Sequence, residues 1–95
     1  MEPSLQQRFD QALGGPQPFE GLYRLAGALR DEGAAQIEVY SLFATNQAKI
    51  SGDDPLYDPV VDTMDEIHGG PWAKRGGLYP EVLTEEMIRN RMKND

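Results

Sequence analysis

The chain contains no cysteine. Disulfides, thiolate zinc sites, iron–sulfur clusters and catalytic thiols are therefore excluded. A small domain without disulfides is typical of a reducing compartment. The N-terminus lacks the basic start and apolar run of a signal peptide, and no apolar stretch approaches the ~18 residues of a membrane span. These absences lead us to expect a cytoplasmic protein that does not enter a membrane.

Basic residues are also scarce, with nine lysines and arginines against sixteen acids and a formal net charge of −7. Nucleic-acid binding relies on a basic surface that displaces counterions, so nucleic acid is disfavoured as a partner. A basic protein is the partner that such a negative field attracts. The 95 residues, 39% of them hydrophobic, predict a single domain over 1–95 with one modest core.

Glycine and proline divide the chain into segments with helical periodicity. Leu22, Leu25, Ala26 and Leu29, for example, have the spacing of one buried helix face. No segment shows sustained alternation of apolar and polar residues. The pattern predicts an all-α fold, a small bundle of four to five helices joined by short Gly/Pro loops. The expected helices span about 4–13 with Ser4 as N-cap, 18–32 with Gly33 as C-cap, 34–50, 58–68 with Asp58 as N-cap, and 80–93.

The apolar faces of the last three helices add to this picture of the bundle. The third helix is apolar over a wide arc, which favours a central position in the bundle. The same arc is compatible with an interface between copies of the chain. The expected apolar residues are Ile37, Val39, Tyr40, Leu42, Phe43 and Ala44 in the third helix, Val60, Val61, Met64 and Ile67 in the fourth, and Val82, Leu83, Met87 and Ile88 in the last.

The strongest local feature is acidic. Six acids and no lysine or arginine lie between Asp53 and Glu66. Asp58, Asp62 and Asp65 follow the i, i+4, i+7 spacing of one helix face, where like charges repel by a few tenths of a kcal/mol per pair. Three interpretations stay open: a solvated face, a docking face for a basic partner, or a weak metal site.

Motifs for metal binding and catalysis are absent from the sequence. The calcium loop and the H-E-x-x-H zinc pattern do not occur. His68 is the single histidine, and its predicted place at a helix C-terminus favours a capping role next to Asp65. No G-x-S-x-G elbow supplies a nucleophile, and no spacing singles out a carboxylate pair. We therefore expect no enzymatic activity, no metal site and no cofactor.

The segment 69–77, GGPWAKRGG, resembles a phosphate-binding loop only superficially, because Leu78-Tyr79 follows where a P-loop has lysine and serine or threonine. One interpretation is a crossover loop that Trp72 and Tyr79 pin to the bundle. The other is an exposed binding loop, since Trp72, Arg75 and Tyr79 are residue types that dominate interface hot spots.

The small size, acidity, lack of cysteine and helical pattern resemble the small immunity proteins that bacteria keep against their own secreted toxins. The stretch 57–67, YDPVVDTMDEI, followed by Gly-Gly-Pro-Trp and Leu78-Tyr79-Pro80, is similar to uncharacterised small bacterial helical proteins. This resemblance implies a protein partner that the chain neutralises. It transfers no functional residues.

These observations predict a non-catalytic, acidic protein-binding protein that inhibits one basic protein partner. The alternatives are a structural or regulatory subunit that forms a homo-oligomer and a DNA mimic that blocks a DNA-binding protein. Three carboxylates on one helix are sparse beside the charge density of duplex DNA, which disfavours the mimic. The candidate partner-binding residues are Asp58, Asp62, Asp65, Glu66, Trp72, Arg75 and Tyr79.

Overall fold

The computed structural model of the chain describes residues 4–69, 77–79 and 82–93. Within these ranges the backbone forms five helices and no strand, which confirms the predicted all-α bundle. The helices are α1 (Leu5–Leu13), α2 (Pro18–Asp31), α3 (Gln36–Gln47), α4 (Tyr57–His68) and α5 (Glu85–Lys93). α2 and α3 both pack on α4, α1 packs on α2, and α5 lies against α3.

The start of α1 is fixed by a capping box. The Ser4 hydroxyl accepts a hydrogen bond from the Gln7 backbone N–H at 3.1 Å, and the Gln7 side-chain oxygen accepts one from the Ser4 N–H at 2.8 Å. Two backbone donors that have no partner inside the helix are thereby satisfied. Ser4 is the N-cap expected from the sequence.

The junction between α2 and α3 is a Schellman motif. The Gly33 N–H donates to the Arg30 carbonyl at 3.0 Å, and the Ala34 N–H donates to the Leu29 carbonyl at 2.9 Å. Gly33 has a φ of 99°, a conformation in which glycine avoids the strain of a side chain. Because Ala34 completes this motif, α3 begins at Gln36 and not at 34 as predicted.

Helix α4 begins one residue before the predicted cap. The Asp54 side chain accepts a hydrogen bond from the Leu56 N–H at 2.9 Å, and the Asp54 carbonyl accepts one from the Tyr57 N–H at 2.9 Å. Asp58 is therefore the second helical residue and not the N-cap. Pro59 lies third, where an N–H would have no partner within the helix, so the helix tolerates it.

The main core is built by α1 to α4 and completed by Leu78. Phe9 and Phe43 lie at its centre, fully buried, with their ring centroids 5.0 Å apart in an edge-to-face arrangement. In α4 the expected residues Val60, Met64 and Ile67 are buried, but Val61 is only half-buried. The other members are Leu22, Leu25, Ala26, Leu29, Val39 and Ala44.

Two polar contacts join α1 to distant parts of the chain. Gln6 and Asn46 exchange side-chain hydrogen bonds of 2.6 and 3.1 Å, and the Asn46 amide also donates to the Leu42 carbonyl. Arg8 donates two hydrogen bonds to the Glu32 carboxylate, at 2.9 and 2.6 Å. These bonds, together with the positive charge of Arg8, hold the pKa of Glu32 below its usual value. The buried Asn46 side chain is thus satisfied, and α1 is tied to both α3 and the end of α2.

Helices α1 and α2 approach each other closely at Gly21. A Cβ atom at this position would lie 2.7 Å from the Ala12 backbone oxygen, inside the van der Waals limit. Gly27, two turns later, has room, because its nearest neighbour would be a Leu78 methyl group at 3.8 Å. The absence of a side chain at Gly21 therefore sets the distance between the two helices.

Candidate functional site

The predicted acidic residues lie along α4 and the turn before it. Asp58 and Asp62 are exposed and Asp65 is half-buried. Asp53 and Asp54, in the preceding turn, are exposed as well. We call the four exposed carboxylates Asp53, Asp54, Asp58 and Asp62 the acidic face. In the parts of the chain that the structure describes, the ion pairs of 4.0 Å or less use other acids, so these four charges face solvent.

Glu66 was predicted to be an exposed, partner-binding acid, and its exposure was predicted wrongly. Its side chain is only 2% exposed. It follows Thr63 by three residues and precedes Ile67, which places it on the inner side of α4. Thr63 is also buried, and its hydroxyl donates to the Pro59 carbonyl at 2.8 Å. Glu66 is thus inaccessible to a partner in this structure.

His68 ends α4, as the sequence predicts, beside Tyr40 of α3. The two ring centroids are 6.0 Å apart, and His68 Nδ1 lies 3.3 Å from the Gly69 carbonyl oxygen. Partial burial raises the pKa of Tyr40, and the negative charge of Asp65 raises it further. These contacts place His68 in the packing of the α4 C-terminus. Among the described residues no cluster of three or more histidine, aspartate or glutamate side chains could hold a metal ion.

The C-terminal part of the chain is bonded to the end of α4. We call the described residues 77–79 and 82–93 the C-terminal arm. The Leu78 N–H donates to the Glu66 carbonyl at 2.8 Å, and the Leu83 N–H donates to the His68 carbonyl at 3.0 Å. The carbonyl of Ile67, which lies between Glu66 and His68 in the sequence, accepts a hydrogen bond from the Gln36 side chain at 2.8 Å. With Gly69 donating to Asp65, all four terminal carbonyls of α4 are satisfied.

The last helix begins later than predicted, at Glu85 and not at about 80. Because the Leu83 N–H is bonded to α4, residues 82–84 are not helical and α5 begins at Glu85. The Thr84 hydroxyl accepts from the Met87 N–H at 3.1 Å and so caps α5. Of the expected apolar face, Leu83 is buried and Ile88 half-buried, whereas Val82 and Met87 are exposed.

Tyr79 holds the arm to the junction between α2 and α3. It is half-buried, and its hydroxyl donates to the Ala34 carbonyl at 2.9 Å. Arg30 donates to the Leu78 carbonyl at 2.8 Å. Tyr79 therefore packs on the bundle, while Trp72 and Arg75 lie outside the described residues. Arg30 and Gln36 belong to no sequence motif, and the one local signal for their roles is their position in the last turn of α2 and the first turn of α3.

The hydroxyl of Tyr79 makes stability sensitive to alkaline pH. Partial burial raises the pKa of Tyr79, and among the nearby charges Arg30 lowers it while Glu38 and Asp31 raise it. An unfolded tyrosine ionises near its ordinary pKa of 10.0. A raised folded pKa gives stability that is present below pH ~10 and is lost as pH rises through the folded pKa.

We expect Tyr79→Phe to lower the free energy of unfolding by about 1 kcal/mol at pH 7, because the bond to Ala34 is lost. The variant should then lose less stability than the unchanged protein between pH 9 and 11. Urea unfolding at both ends of that range measures the difference. Parallel losses in the two proteins would contradict a role for this hydroxyl.

A groove of about 500 Å³ runs along the outer side of α2 and borders Leu78. Its walls include Glu20 and Asp31 as well as Arg24 and Arg30. It therefore carries both signs of charge and is not an extension of the acidic face.

The apolar arc of α3 is divided between the core and partly exposed positions. Val39 and Phe43 are buried, and Ile37, Tyr40 and Leu42 are half-buried. Tyr40 and Leu42 pack against the core of the same chain. The chain's own core thus occupies most of the arc.

None of the helices in the described ranges combines the length and the apolar character needed to cross a membrane. No known protein family matches the chain, and comparisons with curated proteins and with solved structures also gave no match.

Proposed function

We propose that this chain is a non-catalytic, acidic protein-binding protein that inhibits a single basic protein partner, in the manner of an immunity protein. The observation that supports the proposal is the acidic face. Its four carboxylates are exposed, and the sequence between 50 and 73 contains no lysine or arginine. A fold alone does not imply a function, so the proposal depends on this surface.

The electrostatics of the acidic face favour recognition of a basic surface. Asp58 and Asp62 are four residues apart on a helix, where like charges cost a few tenths of a kcal/mol. Asp58 recovers part of this cost from the dipole at the α4 N-terminus. Charges arranged in this way accelerate encounter with a partner of opposite charge more than they slow dissociation. The proposed partner surface is therefore rich in lysine and arginine.

The proposal is tested by charge reversal on the acidic face. The partner is first isolated with tagged protein from the native cell, eluted with rising salt and identified by mass spectrometry. Asp58→Lys with Asp62→Lys should then reduce the association rate with the purified partner about tenfold or more at low salt. Stopped-flow fluorescence at several salt concentrations measures this rate. The same variant should leave the dissociation rate nearly unchanged.

A matched control separates the local surface from the net charge. Asp10→Lys with Glu86→Lys changes the net charge by the same amount at exposed positions on α1 and α5. Glu86, like Asp58, lies in the first turn of its helix. Each double variant therefore places one lysine at a helix N-terminus, where the dipole disfavours it. We expect the control to lower the association rate much less. Equal losses in the two variants, or a rate that does not depend on salt, would overturn the proposal.

A further inference from the structure

The C-terminal arm adds little to the main core. That core takes its buried side chains from α1, α2, α3 and α4, and Leu78 is the one arm residue in it. In the arm itself Leu78 and Leu83 are buried, but Val82 and Met87 are large apolar side chains left exposed. The first four helices therefore supply most of the main core, and among the described arm residues only Leu78 is a buried member of it, with Tyr79 packed against it.

The described part of the arm is attached by hydrogen bonds that use backbone carbonyls at one end of the bundle, beside the packing of α5 on α3. The amides of Leu78 and Leu83 bond to the last turn of α4, and Arg30 and Tyr79 add one bond each. Such bonds contribute about 1 kcal/mol each, since water replaces them when they open. Among the described residues the arm is thus held by the buried Leu78 and Leu83, by these four bonds, by the packing of Tyr79 on the main core and by the contact of α5 with α3.

The ends of the connection between α4 and the arm are glycines. Gly69 follows α4 with a φ of 84°, and Gly77 begins the arm with a φ of 85°. Neither residue contributes a side chain that would fasten the arm to the bundle.

We propose that the C-terminal arm is a separate cooperative unit that detaches from the α1–α4 bundle while the bundle stays folded. Detachment breaks the hydrogen bonds to the Glu66 and His68 carbonyls at the end of α4. It also exposes to solvent the apolar surface of the bundle against which Leu78 and Leu83 are buried. This opening requires no partner and does not depend on the function proposed above. It would give the molecule a second, open form with a new apolar surface next to the C-terminus of α4.

Hydrogen–deuterium exchange of the full chain, followed by NMR, tests this proposal. The amides of Leu78 and Leu83 are protected only while they bond to α4, whereas those of Met64 and Ile67 lie in the interior of the α4 helix. We expect the two arm amides to be at least about 100-fold less protected than the two helix amides. Equal protection of both pairs would overturn the proposal.

A mild core substitution gives an independent readout. Phe9 is buried in α1 and packs on Phe43, so Phe9→Leu weakens the bundle and not the arm. In this variant the amides of Met64 and Ile67 should exchange faster, while those of Leu78 and Leu83 keep their rates. Acceleration of all four by the same factor would show that the arm opens only on global unfolding.

Low concentrations of urea provide a test that needs no variant. Opening of the arm exposes less surface than global unfolding, so exchange at Leu78 and Leu83 should depend weakly on urea. Exchange at Met64 and Ile67 should depend on it steeply. A steep dependence shared by both pairs would again overturn the proposal.

Discussion

Replacing Leu83 with alanine is expected to lower the free energy of unfolding by about 2–5 kcal/mol, the range for a buried leucine. The Leu83 side chain is 2% exposed, and its N–H is bonded to the His68 carbonyl. Alanine keeps the backbone bond but leaves a cavity beside the end of α4. Domains of this size are stable by about 5–15 kcal/mol, so the loss is a large share of the total. Urea unfolding followed by circular dichroism measures it.

The neighbouring residue supplies the control. Val82 is 53% exposed, so Val82→Ala should change stability by no more than about 0.5 kcal/mol. Both variants shorten an aliphatic side chain in the same non-helical stretch before α5. A similar effect of the two would mean that Leu83 does not anchor the arm.

The second large effect is expected at the crossing of α1 and α2. Gly21→Ala places a Cβ atom 2.7 Å from the Ala12 oxygen; the α2 backbone fixes the position of the Cβ, and the oxygen belongs to the backbone of α1. Forcing the helices apart should cost about 1–3 kcal/mol, as overpacked cores do. The better helix propensity of alanine offsets at most about 1 kcal/mol of this. We expect a net loss of stability in a urea titration.

Gly27→Ala is the matched substitution, in the same helix and with the same change of atoms. Its Cβ would make an ordinary contact with Leu78 at 3.8 Å. The gain in helix propensity should therefore dominate and stabilise the protein by up to about 1 kcal/mol. Opposite signs for the two variants support close helix packing at Gly21, whereas stabilisation by both would refute it.

Local signals were sufficient to predict the helices that the chain caps by itself. Ser4 has its cap partner three residues away, and Gly33 has the positive φ that suits glycine at a helix end, although α2 ends at Asp31 with Glu32 as its C-cap, one residue earlier than predicted. The start of α5 was predicted wrongly because the Leu83 N–H bonds to His68, a partner fifteen residues earlier. No local pattern reveals whether an amide is used inside its own helix or by another one.

The candidate site was predictable where helical spacing decides exposure, and not where contacts between helices decide it. Helical spacing predicted a shared outward face for Asp58, Asp62 and Asp65; the first two are exposed, whereas Asp65 is half-buried. The burial of Glu66 was missed because acidic residues rarely lie inside a small core. The close approach at Gly21 was missed because it depends on which helix packs against α2. Both features are set by neighbours distant in sequence, which composition and periodicity do not specify.

The amide pair between Gln6 and Asn46 has a consequence for how related sequences diverge. Each side chain offers the other one donor and one acceptor, so a change at one position removes two hydrogen bonds from the partner, which is most costly for the buried Asn46. Two apolar residues of similar volume would remove this requirement altogether. Positions 6 and 46 should therefore vary together during evolution, as a polar pair or as an apolar pair, and rarely as a mixture of the two.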